Sequence, residues 1–135
     1  MGGYSSSNGG EIDFNNGKLK IQGFEFTVPE GYKENDTAKK VGEEADQKAF
    51  PDFSISIDRF DKGNDSIIFK VVYGDKKLDN STYTPNSDSQ SKNIGGHDGY
   101  LLQYDDGVSF TYLEDGKLVE IFAPDENVLS SVFKK

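Results

Sequence analysis

The chain has 135 residues, which suits a single domain that buries about two-thirds of the surface its unfolded state exposes. Its formal net charge is −9, so its surface repels phosphate groups and nucleic-acid binding is disfavoured. The absence of cysteine excludes thiolate catalysis, zinc–cysteine sites and disulfides. No apolar run approaches the roughly 20 residues that cross a bilayer, so we expect contact with a membrane only through an anchor upstream of this sequence.

Residues 1–17 are rich in Gly, Ser and Asn and predict a flexible N-terminal segment, followed by one domain over residues 18–135. Residues 1–10 contain only two large apolar side chains to repay ordering, and we predict that they are disordered. A flexible linker normally connects two parts of a protein, and at a natural N-terminus there would be no preceding part to connect. We therefore interpret it as a sign that the domain belongs to a longer, membrane-tethered protein.

The domain begins with a predicted hairpin. Residues 19–21 and 24–28 read as two strands separated at Gln22 and Gly23, and the second alternates apolar and polar residues. From residue 36 to residue 50, Ala38, Val41 and Ala45 recur at helical spacing. This stretch predicts a helix, although Gly42 costs it about 1 kcal/mol.

A second hairpin is predicted over residues 53–60 and 66–73, with a polar turn around Gly63. In its first strand the apolar and polar residues alternate strictly, which predicts that they point to opposite faces of the sheet. The apolar set is Phe53, Ile55 and Ile57, and the polar set is Ser54, Ser56 and Asp58. Residues 74–96 are polar and predict a long loop that is mobile or contains a short element.

The C-terminal region predicts a three-strand meander over residues 98–104, 108–113 and 117–122. The turns between these strands carry Asp-Gly, a strong short-range hairpin signal. Pro124 then stands where a first helical residue belongs, and residues 124–135 predict a helix. The elements together predict an α+β fold, with a single antiparallel β-sheet (N-terminal hairpin, central hairpin and C-terminal meander) and two helices packed on one face.

Four oxygen-bearing residues surround the turn of the central hairpin: Asp58, Asp61, Asn64 and Asp65. Hard oxygen ligands on a flexible loop can hold Ca²⁺, so they form a candidate calcium site. The EF-hand pattern fails, because the register that starts at Asp61 places Val72 where a bidentate Glu belongs. The alternative is that these carboxylates are solvated turn residues.

Catalytic candidates are few, and we predict that the chain is not an enzyme and uses no cofactor. His97, the only histidine, adjoins Asp98, but neighbours on an extended chain point in opposite directions. We expect His97 to be solvent-exposed and structural. The acidic turns at residues 105–106 and 114–115 lie at opposite ends of one predicted strand, too far apart for paired-carboxylate chemistry.

Four aromatic residues recur on the predicted meander: Tyr100, Tyr104, Phe110 and Tyr112. They can form an exposed aromatic binding platform. Alternatively they form the buried face of the sheet, which the shortage of other core residues favours.

Two stretches carry a resemblance. Residues 23–32, Gly-Phe-Glu-Phe-Thr-Val-Pro-Glu-Gly-Tyr, and residues 94–100, Ile-Gly-Gly-His-Asp-Gly-Tyr, are similar to segments of small extracytoplasmic domains of unknown function on archaeal surface proteins. The order of elements over residues 19–133 resembles the PsbP-like fold, an antiparallel sheet with helices on one side. The resemblance implies a fold and an extracytoplasmic location, and it transfers no catalytic residue.

Glycosylation sequons begin at Asn35, Asn64 and Asn80 and suit a surface-exposed protein. We therefore predict a monomeric, non-catalytic extracytoplasmic domain that acts as a binding or structural module at the cell surface, extracellular or membrane-tethered, with an unknown protein or cell-surface partner. The alternative function is binding of a divalent cation by the acidic turn at residues 58–65.

Overall fold

The structure, a computed structural model, describes residues 12–45, 48, 50–79 and 85–134. Its elements, in chain order, are β1 (Ile12–Asn15), β2 (Lys18–Ile21), β3 (Phe24–Thr27), β4 (Lys33–Glu34), a 3₁₀ turn (Asp36–Ala38), β5 (Lys40–Glu44), β6 (Ser54–Lys62), β7 (Asp65–Tyr73), β8 (Gln90–Ile94), β9 (His97–Tyr104), β10 (Gly107–Glu114), β11 (Lys117–Ala123) and α1 (Glu126–Ser131).

These strands form two antiparallel sheets. The large sheet has eight strands in the order β4-β6-β7-β11-β10-β9-β8, with β5 pairing β6 beside β4, and the small sheet is β1-β2-β3. In the large sheet one row of side chains crosses five strands through directly paired positions. That row is Asp58, Phe69, Ile121, Phe110 and Leu101.

The predicted fold class is wrong. The described part of the chain is mostly β, with two sheets rather than one, and its only α-helix is the short α1. The N-terminal hairpin was expected to belong to the main sheet. It instead gains β1 and forms a separate sheet, which packs across the face of the larger one.

The helix predicted over residues 36–50 is also wrong. It is replaced by the 3₁₀ turn at Asp36–Ala38 and by β5, which pairs with β6 through an irregular register near Gly42. Gly42 has φ +65, a left-handed conformation that a helix interior excludes but a bulge accommodates. The helical stripe consisted mainly of alanines, and pairing with the edge of a large sheet outweighs the little apolar area they offer.

The C-terminal and central strands are confirmed. β9, β10 and β11 form the predicted meander, and β6 and β7 form the predicted hairpin. The turn between β10 and β11 has left-handed Asp115 and Gly116, as a tight hairpin turn requires. The final helix is shorter than predicted, because Asp125 caps it by accepting a hydrogen bond from the Val128 amide, and it ends at Ser131.

Two predicted irregular regions contain strands. β1 starts at Ile12, inside the segment that was expected to be flexible up to residue 17, so that part of the prediction is wrong. β8 lies within the predicted loop of residues 74–96 and forms one edge of the large sheet. The predicted disorder of residues 1–10 and the sequon at Asn80 fall outside the described residues.

The main core lies between the two sheets. The face of the large sheet that the small sheet covers is called here the inner face. Aromatic rings join the two layers, with centroids 4.8 Å apart for Phe14 and Phe60 and 5.1 Å apart for Phe26 and Phe69. The C-terminal segment closes this layer, since the Val132 carbonyl accepts a 2.8 Å hydrogen bond from the Thr27 amide on β3.

A second cluster covers part of the opposite, outer face. Leu78 packs there after the chain leaves β7, and its amide donates to the Gly116 carbonyl. The cluster contains Ala45, Val72, Leu78 and Leu118, with Phe50, Phe53, Ile55 and Leu113 at its margin. Both faces of the large sheet are thus apolar over part of their area. Within the described ranges, no helix is long and apolar enough to cross a membrane.

Candidate functional site

The four residues of the predicted calcium turn do not converge. Asp58 and Asp61 lie on opposite faces of β6, because successive side chains alternate along a strand. Asp58 is fully buried on the inner face, whereas Asn64 and Asp65 are exposed in the turn. The described residues contain no group of three or more acidic or histidine side chains that could hold a metal ion. Calcium binding at this turn stays a prediction.

Asp61 is occupied by protein groups. Its carboxylate accepts hydrogen bonds from Arg59 Nε at 2.9 Å, from Ser66 Oγ at 2.7 Å and from Asn35 Nδ2 at 3.0 Å. These bonds, that from Arg59 foremost, lower the pKa of Asp61 to about 2. Asn35 therefore uses its side chain to tie the chain after β4 to β6, while the sequon residue Asn64 stays exposed.

Asp58 forms a buried pair with Glu34, which β4 places on the same inner face. Asp58 Oδ1 accepts from the Arg59 amide at 2.9 Å, and the remaining oxygens Asp58 Oδ2 and Glu34 Oε2 are buried. A proton carried by Asp58 and donated to Glu34 satisfies this pair. Burial and the hydrogen bond to Glu34 raise the pKa of Asp58 from 3.8 to about 8.

Glu34 is the ionised member of the pair. The hydrogen bond from Asp58 is the largest influence on its pKa, which is lowered despite burial. Lys39 Nζ lies 2.9 Å from Glu34 Oε2 and supplies the balancing charge. Two carboxyls that share one proton beside a lysine have the form of a general acid pair. Neither carboxyl lines either of the two clefts described below, however.

His97 is half-buried rather than exposed, so that expectation is wrong. Its ring stacks on Tyr112 with centroids 4.4 Å apart, and its Nδ1 lies 2.9 Å from Glu114 Oε1. Asp98, on the opposite face, accepts from Asn93 Nδ2 instead. Burial raises the pKa of Tyr112, with the Glu114 charge as a further cause, so its hydroxyl stays neutral.

Beside His97 lies a cleft of about 600 Å³, formed between the small sheet, the meander and the C-terminal segment. It is called here the lysine cleft. Its aromatic lining comes from both layers and the chain end: Phe24, Phe26, Tyr112 and Phe133. Phe133 is central, because its ring lies within 6.0 Å of those of Phe26, His97 and Tyr112, measured between centroids.

The charged residues of the lysine cleft are Lys18, Lys20, Lys134, Glu25 and Glu114. The lysines exceed the carboxylates even though the whole chain carries −9. β2 presents Lys18 and Lys20 to solvent, since it alternates them with the fully buried Leu19 and Ile21. The sheet thereby buries its apolar side and turns its lysines toward the cleft rim.

A second cleft of about 420 Å³, called here the acidic cleft, shares Tyr112 and Glu114 with the first. Its other charged residues are Asp79, Asp98 and Asp115, and none of the described residues that line it is a lysine or arginine. The two clefts therefore differ in charge although they share a wall.

The aromatic residues of the meander divide between the two interpretations. Phe110 and Tyr112 are buried on the inner face, as the buried-face alternative predicts. Tyr104 is 49% exposed on the outer face, and Tyr100 lines the acidic cleft. The four thus form neither a single platform nor a single buried row, because Tyr100 and Tyr104 on β9 point to the outer face, whereas Phe110 and Tyr112 on β10 point to the inner face.

Sequence reasoning missed the Glu34–Asp58 pair and the lysine cleft. Glu34 and Asp58 are 24 positions apart, and the helix predicted between them hid the strand pairing that joins them. The alternation of Lys18 and Lys20 with apolar residues was visible, but nothing in the sequence set Phe133 and His97 beside them. Comparisons with protein-family models, curated proteins and solved structures find no match for this chain.

Proposed function

We propose that this chain is a non-catalytic extracytoplasmic binding module that acts at a cell surface and uses the lysine cleft as its ligand site. The observation that carries the proposal is the construction of the cleft, which combines an aromatic lining from three parts of the chain with polar groups at its rim. Ligand sites of proteins are concave and contain a few polar groups that orient the ligand.

The non-catalytic part of the proposal is supported by the position of Asp58. Among the described carboxyl groups its pKa is the most strongly shifted, but its side chain is fully buried and lines neither cleft. A general acid must reach its substrate. The shared proton therefore fits a structural role better than a catalytic one.

The extracytoplasmic part is supported by the sequence. The exposed sequon at Asn64 and the resemblance to archaeal surface domains support that location. Expression of the full-length protein with glycosidase treatment or surface labelling tests it. A product confined to the cytosol would contradict this part alone.

The binding site is tested by ¹H–¹⁵N NMR with a neutral aromatic probe, phenylacetamide. We expect a Kd of about millimolar, because a ligand of ten heavy atoms gains only a few kcal/mol. The changed amide signals should cluster at Phe26, Gly95 and His97. Phe133→Leu should weaken binding, whereas Phe122→Leu, on the outer face, serves as the matched control. Signals that change only on the outer face, or not at all, would refute the proposed site.

A further inference from the structure

The charges around the lysine cleft are not evenly compensated. None of the described acidic side chains forms an ion pair with Lys18, Lys20 or Lys134. Glu114 is paired with His97, and Glu25 lies directly opposite Lys20 across β2 and β3. Among the described residues, Lys18 and Lys134 therefore form no ion pair with a carboxylate.

Lys18 is also held in place. Its Nζ donates a 2.8 Å hydrogen bond to Thr27 Oγ1, and that hydroxyl in turn donates to the Lys134 carbonyl. A hydroxyl partner orients an ammonium group without neutralising it, so the charge and two of its three N–H donors stay available. The same hydroxyl thus bridges Lys18 and the backbone of Lys134, which brings the two residues close together.

A backbone donor faces the same space. β3 is an edge strand, and the Thr27 amide points away from β2 to reach Val132. Amides on one side of a strand recur every second residue, so the Glu25 amide points the same way, and it has no partner among the described residues. Lys18 and Glu25 both line the lysine cleft, and ammonium groups and backbone amides are donors that carboxylates bind.

From these contacts we infer that the lysine cleft selects an organic anion in which a carboxylate is attached to an aromatic body. The ring would lie against the aromatic lining while Lys18, Lys134 and the Glu25 amide bind the carboxylate. This inference rests on the proposed function and adds the chemical class of the ligand. The net charge of the chain repels anions at long range, so the selectivity depends on these local donors.

The experiment compares three probes that share a phenyl ring: phenylacetate, phenylacetamide and 2-phenylethylammonium. NMR titrations at low ionic strength measure the Kd of each and the position of the changed signals. Phenylacetate should bind in the lysine cleft about tenfold more tightly than the amide, since one charge-assisted hydrogen bond gives roughly that factor. The ammonium probe should bind there most weakly.

Three variants test the donors. Lys18→Gln should weaken phenylacetate by about five- to tenfold and leave phenylacetamide unchanged. Lys70→Gln, on the outer face beside Glu120, is the matched control and should change neither. Glu25→Gln removes a carboxylate from the rim and should tighten phenylacetate, a gain that damage to folding cannot imitate.

The outcomes separate the two proposals. Equal affinities for phenylacetate and phenylacetamide in the cleft would overturn the anion inference and leave the proposed binding site standing. Failure of all three probes to change cleft signals would overturn the proposed function itself. N-acetylphenylalanine carries the same carboxylate and ring as the end of a peptide chain. If N-acetylphenylalanine binds more tightly than phenylacetate, the inference holds and the ligand is the C-terminus of a peptide chain. If phenylacetate binds more tightly, the inference holds and the ligand is a free aromatic acid.

Discussion

The inner face of the large sheet contains two unlike regions. Its centre, around Phe69 and Phe110, is apolar and aromatic, whereas the end near β4 and β5 contains the buried polar groups Ser56 and Asp58. Both regions are fully buried and share strands. Burial of rings stabilises at any pH, whereas a buried carboxyl costs the fold much more free energy once it loses its proton. One face of a sheet can therefore contain a region that supplies much of the stability and another region that makes the stability depend on pH.

The largest effect is expected at the apolar centre. Phe69 is fully buried, with ring centroids 5.1 Å from Phe26 and 5.8 Å from Phe60. Phe69→Ala should lower the free energy of unfolding by about 3–5 kcal/mol, because it removes contacts between both sheets and leaves a cavity. Urea denaturation measures this loss. Phe122→Ala, on the half-buried outer face, should cost less than half as much, and equal losses would contradict the assignment of the main core.

The polar end should make stability depend on pH. Folded Asp58 keeps its proton up to about pH 8, while the unfolded chain loses it near 3.8. The folded state thus binds the extra proton, and the free energy of unfolding should fall as the pH rises from about 5 to 8. The fall is at most about 1.4 kcal/mol per pH unit.

Glu34 does not cancel this trend. Its lowered pKa stabilises the fold above the unfolded value of 4.5, and that contribution is lost only at more acidic pH. Asp58→Asn should flatten the profile between pH 5 and 8, as measured by urea denaturation at each pH. A profile that stays equally steep in Asp58→Asn would show that another group binds the proton.

A smaller effect is expected from the hydroxyl of Ser56. Its Oγ accepts hydrogen bonds from Gln22 Nε2 at 2.9 Å and from the Gly42 amide at 3.1 Å. Ser56→Ala leaves both donors without that acceptor and should cost about 1–3 kcal/mol in urea denaturation. Ser54→Ala, two residues earlier on the same strand, is the matched control. Similar costs for both would mean that the Gln22 bond adds no stability.

The smallest effect concerns the predicted calcium turn. Because Asp58 faces the core and Asp61 is already bound by three protein donors, Ca²⁺ should shift the thermal midpoint no more than Mg²⁺ does at equal ionic strength. Differential scanning calorimetry of the wild type, Asp61→Asn and Asp65→Asn measures this. A saturable shift for Ca²⁺ alone, abolished by either substitution, would restore calcium binding as the function to pursue.

Local signals predicted the hairpins well and the helix at residues 36–50 badly. Asp-Gly turns and strict alternation act between neighbouring residues, so β6, β7 and β9 to β11 were readable. Alanines at helical spacing are a weak signal, and pairing with β6 decided the structure of that stretch instead. The candidate sites differ in the same way: a site formed by neighbouring residues could be predicted, and a site formed by distant residues could not. The acidic turn was visible, but the lysine cleft joins Lys18, His97 and Phe133 across most of the chain.

The sequence by itself determined where most strands of this protein lie. It also determined that the two turns of the C-terminal meander are acidic. It could not determine which face of a strand is buried. On β6 the apolar Ile55 and Ile57 are only half-buried, while Ser56 and Asp58 are fully buried. Alternation tells two faces apart but not which neighbour covers each. The tertiary structure decided this, because the small sheet and the C-terminal segment pack over the inner face of the large sheet. The same packing buries the Glu34–Asp58 pair and forms the lysine cleft.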